Sequence, residues 1–300
     1  MPDGARTQLR RGAFLAALVL VPAVPCSARA EPGTTVESAA QDIIGIPAAG
    51  GATLRTRVLR PPGTGSFPLA VVSHGSPLKA ADRPTMEIPT LAPISNWLLQ
   101  QGYLVALPLR RGYGQTGGPW LENFGPCSNP DFYQAGLTSA EDIQATLRFF
   151  RQHGGIARER MLLVGWSAGG WGSIAAASQN PPGVFAVVNF AGGRGGGQPG
   201  GVKQGDGEAG NCLPDRLVEA ARRYGSTARI PSLWLYAAND SFFAPALARR
   251  MFDAYSRAGG KAQYVALPAF GSDGHRLFAA ADGRALWEPP AGKFLATVSQ

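Results

Sequence analysis

The stretch MLLVGWSAGGWGSI, residues 161–174, decides the fold. Four apolar residues run straight into Gly165-Trp166-Ser167-Ala168-Gly169-Gly170. A short apolar run stopped by glycine reads as a buried strand, and the small, alanine-rich segment after it reads as a helix over residues 168–178. Ser167 is then either a nucleophile on a tight strand-to-helix turn or an ordinary serine in a glycine-rich bend. The motif alone does not decide. The chain has 40 Gly in 300 residues, and such a composition yields about 0.3 chance matches to G-x-S-x-G. The surrounding pattern has to settle it.

Outward from this stretch, short apolar runs alternate with helical ones. Toward the N-terminus, residues 103–107 and 69–73 read as strands and residues 91–101 as a helix. Residues 139–152 form an amphipathic helix, with Ser139 as N-cap and Ile143, Leu147 and Phe150 on one face. Toward the C-terminus, strands are predicted at 185–190, 230–236 and 263–267, and helices at 214–224, 244–258 and 293–299. Residues 41–46 and 53–59 flank a turn, and Leu54, Thr56 and Val58 alternate with Arg55 and Arg57, which marks an antiparallel pair. Continuous apolar strands separated by helices predict an α/β fold: a mostly parallel central sheet, helices on both faces, and an antiparallel N-terminal strand pair. In such sheets the site lies at the carboxyl ends of the strands. Two segments exceed ordinary loop length, 110–134 and the glycine-rich 192–212. The second reads as a surface loop or as a cover over the site.

Residues 1–30 read as a cleaved signal peptide: Arg6, Arg10 and Arg11, an apolar run over 12–24, then Ala28-Arg29-Ala30 as a small-x-small cleavage site. The run is too short for a stable membrane span. The expected product is exported, to the periplasm or the medium, as one domain over residues 31–300. The whole chain carries a formal charge of +8; removing four Arg and one Asp with the leader leaves +5. The basic residues are scattered, which describes a soluble surface rather than a nucleic-acid or membrane footprint. Hydrophobic residues make up 45% and charged ones 16%, enough for a sizeable core and against general disorder. Cys127 and Cys212 are the cysteines left after the leader, and in an exported chain they are expected to form a disulfide. No Cys/His cluster points to zinc.

A serine hydroxyl becomes nucleophilic when a histidine takes its proton and a carboxylate orients that histidine. Of three histidines, His153 ends a helix and His74 follows the first core strand, where it shapes a turn. His275 follows the last strand and is the candidate base. Asp240 ends the apolar run Leu233-Trp234-Leu235-Tyr236-Ala237 and is the candidate acid, with Asp273 as fallback. The oxyanion needs two fixed N–H donors, assigned to Ala168 and to Ser76 in the turn His74-Gly75-Ser76. Trp166, Tyr113, Trp120 and Phe124 are candidates for contacting substrate; Trp171, four residues past Ser167, reads as packing.

Gly165-Trp166-Ser167-Ala168-Gly169, followed by Asp240 and then His275, resembles the α/β-hydrolase superfamily. His74-Gly75 and Arg111-Gly112-Tyr113-Gly114 are similar to its dienelactone-hydrolase-like and prolyl-oligopeptidase-like branches. The resemblance implies an α/β-hydrolase fold and a serine hydrolase needing no cofactor, acting on a small or polymeric ester. The dienelactone hydrolases carry Cys where Ser167 stands. Prolyl-oligopeptidase-type enzymes usually carry a large N-terminal domain, and the residues before Gln41 are too few for one. A carboxylic-ester hydrolase is therefore the leading expectation. An amidase or peptidase and a non-catalytic binding protein of the same fold are the alternatives.

Overall fold

The computed structural model describes residues 41–197 and 210–299. The proposed signal peptide lies outside the described residues, as does the middle of the 192–212 loop.

The first strand pair is antiparallel, β1 (Gln41–Pro47) with β2 (Thr53–Leu59), in the register Ile46↔Leu54. The alternation seen in the sequence explains it: Leu54, Thr56 and Val58 are buried and the intervening arginines partly exposed. Six further strands follow: β3 (Phe67–Ser73), β4 (Leu104–Pro108), β5 (Ile156–Trp166), β6 (Val184–Phe190), β7 (Ser232–Ala237) and β8 (Ala262–Leu267). The sheet order is β1-β2-β4-β3-β5-β6-β7-β8. β2 meets β4 antiparallel, and every later pairing is parallel.

Parallel strands need helical crossovers, and these cover both faces. One core packs α2 (Phe132–Gln152), α3 (Ala168–Ala177), α4 (Pro214–Thr227) and α5 (Pro245–Arg257) against Leu69, Val71, Leu163 and Trp234. The opposite core packs α1 (Ala92–Gln100) and α6 (Arg284–Val298) against Ala70, Val72, Leu162 and Leu233. Alternate residues of one strand thus enter different cores, as a pleated strand requires. Trp171 is fully buried in the first core.

Two elements differ from expectation. α2 begins at Phe132, not at Ser139, and its cap is Asp131, which accepts from the Gln134 N–H at 2.8 Å. Gly136 argues for a break by propensity, but it is a close-approach position. A Cβ there would strike the Tyr224 hydroxyl and the Trp171 indole. α6 starts at Arg284 and carries Pro289 and Pro290 inside it, whereas the prolines suggest a start beyond them. Among the described residues, no helix is long and apolar enough to cross a membrane.

Candidate active site

Ser167 stands between β5 and α3 with φ 55° and ψ −122°. A positive φ at a non-glycine residue is strained, and the surroundings hold it. The Ser167 N–H donates to Phe190 O at 3.0 Å, and Ser167 O accepts from the N–H groups of Trp171 (3.0 Å) and Gly193 (3.3 Å). The Ser167 side chain makes no cap hydrogen bond to α3.

Asp240 follows β7 and is 2% exposed. Its Oδ1 accepts from the Phe242 and Phe243 N–H groups at 2.8 and 2.9 Å. Both carboxylate oxygens lie 3.1 Å from His275 Nδ1. A carboxylate only accepts, so Nδ1 carries the proton and Nε2 is left with a lone pair. The ring is further fixed by Phe242, stacked at 4.2 Å between centroids. The main chain of His275 accepts from Trp166 Nε1 at 2.9 Å. Asp273 does not meet the imidazole through its carboxylate; it accepts from the His275 and Ser241 N–H groups at 3.0 and 3.1 Å. Burial works to raise its pKa, but those hydrogen bonds prevail and lower it. Asn239 ties the two loops together, accepting from the Phe270 N–H at 2.8 Å.

The turn after β3 rests on a buried polar network. His74 Nδ1 contacts Gly75 O at 2.6 Å and Nε2 accepts from the Arg110 N–H at 3.2 Å, so the ring is a neutral Nδ1–H tautomer. Burial and the nearby Arg110 charge push its pKa down to about 3. Arg110 is fully buried and donates to His74 O at 2.7 Å and Ser73 Oγ at 3.1 Å. Its other guanidinium nitrogens pair with Glu122. Glu122 also accepts from Arg194 at 2.6 Å and from the Tyr113 hydroxyl at 2.9 Å. That hydroxyl accepts from Trp120 Nε1 at 2.9 Å and lies 3.0 Å from Ser76 Oγ. Burial alone raises the Glu122 pKa; the two guanidiniums outweigh it and hold the carboxyl far below the usual range. Arg194 also donates to Ser139 Oγ at 2.7 Å, the residue read from sequence as a cap. Its main chain is held by Asn211 Nδ2 at 2.8 Å. Cys127 and Cys212 form a disulfide, joining the loop that supplies Glu122 to the one that supplies Arg194.

Two cavities meet at Ser167. One, about 350 Å³, is lined by Ser76, Trp120, Phe124, Ala168, Arg83 and Arg194, among others. The other, about 470 Å³, is lined by Gly75, Ser76, Trp166, Phe242 and His275. Of the aromatic candidates, Trp120, Phe124 and Trp166 border the cavities. Tyr113 is fully buried behind Ser76 and borders neither. Sequence reasoning missed Arg83, Arg110, Glu122 and Arg194. Among the described residues, no group of three or more His, Cys, Asp or Glu could hold a metal ion.

This architecture matches known folds. The family model of the prolyl oligopeptidase family matches residues 90–194. A Klebsiella pneumoniae protein provisionally assigned as a dienelactone hydrolase shares 18% identity with a TM-score of 0.57, over 87% of this chain and 98% of that one. An esterase from Pyrococcus furiosus shares 14% with a TM-score of 0.62, over 91% and 99%. Dipeptidyl peptidase 4 from Porphyromonas gingivalis shares 15% with a TM-score of 0.63, over 87% of this chain but only 36% of its own. No curated protein matches by sequence. At these identities the likeness is one of fold: the chain has the α/β-hydrolase fold.

Proposed function

We propose that this protein is an exported serine hydrolase that cleaves carboxylic esters, with Ser167 as nucleophile, His275 as base and Asp240 as the acid that orients it. The observation that carries the reading is the buried Asp240–His275 pair at 3.1 Å beside a serine at φ 55° on the same cavity. His275 Nε2 takes the Ser167 proton as Oγ attacks the carbonyl. Asp240 stabilises the imidazolium, and the Ser76 and Ala168 N–H groups hold the oxyanion. His275 then gives its proton to the leaving alcohol, and a water activated by the same base releases the acid. Export is supported by the basic, apolar and small-residue pattern of residues 1–30 and by the Cys127–Cys212 bridge.

Short p-nitrophenyl esters test the reading. Turnover is expected, with Ser167 labelled by a fluorophosphonate and both lost in Ser167→Ala. A folded protein with neither turnover nor labelling refutes it, and would favour a non-catalytic binding protein. The match of residues 90–194 to the prolyl oligopeptidase family model favours a second reading, an amidase or peptidase. Ester and amide analogues of one acyl group separate the two.

A further inference from the structure

The smaller cavity at Ser167 has an unbalanced charge. Among the described residues, Arg83 and Arg194 both line it and no Asp or Glu does. Arg194 is paired with Glu122, but Glu122 already answers Arg110. Arg83 forms no ion pair among the described residues; its guanidinium carbon lies over the Trp120 ring, 3.4 Å from the centroid. Trp120 is itself pinned by its bond to Tyr113, so the guanidinium rests on a fixed shelf with its donor edge unused. The Nε atoms of both Arg83 and Arg194 are buried without a hydrogen-bond partner. Burial lowers the Arg83 pKa and the nearby Arg194 charge acts in the same direction, against the opposing influence of Tyr113 and Glu122. An anionic group in the cavity would pair with the Arg83 guanidinium, which lines the cavity and has no acidic partner among the described residues.

The side of the scissile bond follows from the second cavity. His275 lines that one and not the first. In acyl transfer the histidine protonates the leaving group, so the alcohol part belongs beside His275. The acyl chain then extends into the cavity of Arg83, past Ser76 and Ala168. We infer that the protein selects esters whose acyl chain ends in a carboxylate, that is, half-esters of dicarboxylic acids, with Arg83 binding the distal carboxylate. The inference rests on the Ser167–His275–Asp240 reading. Water supplies the new carboxyl oxygen, the alcohol leaves with the proton, and the product is a dicarboxylic acid.

The test compares three 4-nitrophenyl esters of one chain length: hydrogen adipate, its methyl-capped neutral form, and 6-aminohexanoate. A suberate series repeats it two methylenes longer. A charge-assisted contact predicts about 10- to 100-fold higher kcat/KM for the anionic ester over the neutral one, with the cationic ester poorest. In Arg83→Gln the anionic-to-neutral ratio should fall to near 1, and Arg83→Lys should recover part of it. Thermal melts and fluorophosphonate labelling report that each variant is folded. A wild-type ratio near 1 at both lengths, or a preference that survives in Arg83→Gln, overturns the inference. Absence of all turnover with Ser167 unlabelled sinks the hydrolase reading instead. The cavity is then read by calorimetry with monomethyl adipate: binding lost in Arg83→Gln supports the anionic subsite, and no binding to the wild type refutes it.

Discussion

Replacing Glu122 by glutamine removes one charge and almost no volume. The native carboxylate is 2% exposed and accepts from Arg110, Arg194 and the Tyr113 hydroxyl. Glutamine keeps one acceptor oxygen and turns an NH₂ group toward donors that have nowhere else to go. Arg110 is fully buried and Arg194 is 3% exposed at its side chain, so neither guanidinium can reach bulk water. Breaking a buried pair by removing one partner typically costs about 3–5 kcal/mol. For a chain of this size each kcal/mol lowers the melting temperature by about 2–4 °C, which gives a loss of roughly 6–20 °C. The pH dependence adds a second reading. The folded-state pKa of Glu122 is depressed below its ordinary value of 4.5. Its contribution is therefore complete above about pH 4.5 and drains away as the pH falls below that, because the unfolded chain takes up the proton first. Glu122→Gln should lose this part of the acid sensitivity. Circular-dichroism melts at pH 7 and at pH 3.5 measure both effects. A loss under about 1 kcal/mol at pH 7 would refute the network as a source of stability.

Two further predictions address the imidazoles. Asp240→Asn presents an amide to His275 Nδ1 and disfavours the tautomer with a free Nε2, so kcat should fall about 10⁴-fold with KM little changed; a variant keeping a tenth of wild-type turnover refutes the role of Asp240. His74 is held neutral, its pKa lowered from 6.5 to about 3, so its contribution is complete above pH 6.5 and is lost as the pH falls from there toward 3. In His74→Gln the melting temperature should vary less across pH 4–6.5 than in the wild type, and an unchanged slope counts against this account.

Legibility in the sequence follows the range of the interaction. The β1–β2 pair is readable because its signal is the local alternation of Leu54, Thr56 and Val58. Position after an apolar strand marks Asp240 and His275 as neighbours, because parallel strands deliver their tails to one edge. Ser139 misleads because a serine before an amphipathic run has the form of a cap. It lies mid-helix because Phe132 is buried in the first core and the Trp171 indole donates to its carbonyl at 2.8 Å. The Arg110–Glu122–Arg194 cluster leaves no local trace at all. Its members are 12 and 72 residues apart, and each alone reads as a solvated loop charge. Tyr113 and Trp120 look alike in sequence, yet one is buried and the other borders a cavity, since loop packing decides which.

The glycine-rich composition that weakens the motif also separates into two kinds of glycine. At Gly102, Gly154 and Gly292 an added Cβ would meet open space. Those positions carry composition and nothing about the site. At Gly165 a Cβ would run into the main chain of Gly169, and at Gly169 into the carbonyls of Ser73 and His74. At Gly170 it would strike the Asn189 side chain. These contacts are with backbone or with a fully buried side chain, so the clash cannot be relieved by a rotamer change. The missing Cβ at Gly169 lets the elbow approach β3, with the turn His74-Gly75-Ser76 against Ser167, while those at Gly165 and Gly170 let the turn itself close and α3 approach Asn189 of β6. The same closeness brings Ser76 and Ala168 to one cavity wall, which is what two donors to a single oxyanion require. The positive φ of Ser167 costs about 1–3 kcal/mol and is sustained by that packing. The information in G-x-S-x-G thus lies in the flanking glycines as much as in the serine: they set how closely Ser167, the proposed nucleophile, lies to the turn His74-Gly75-Ser76.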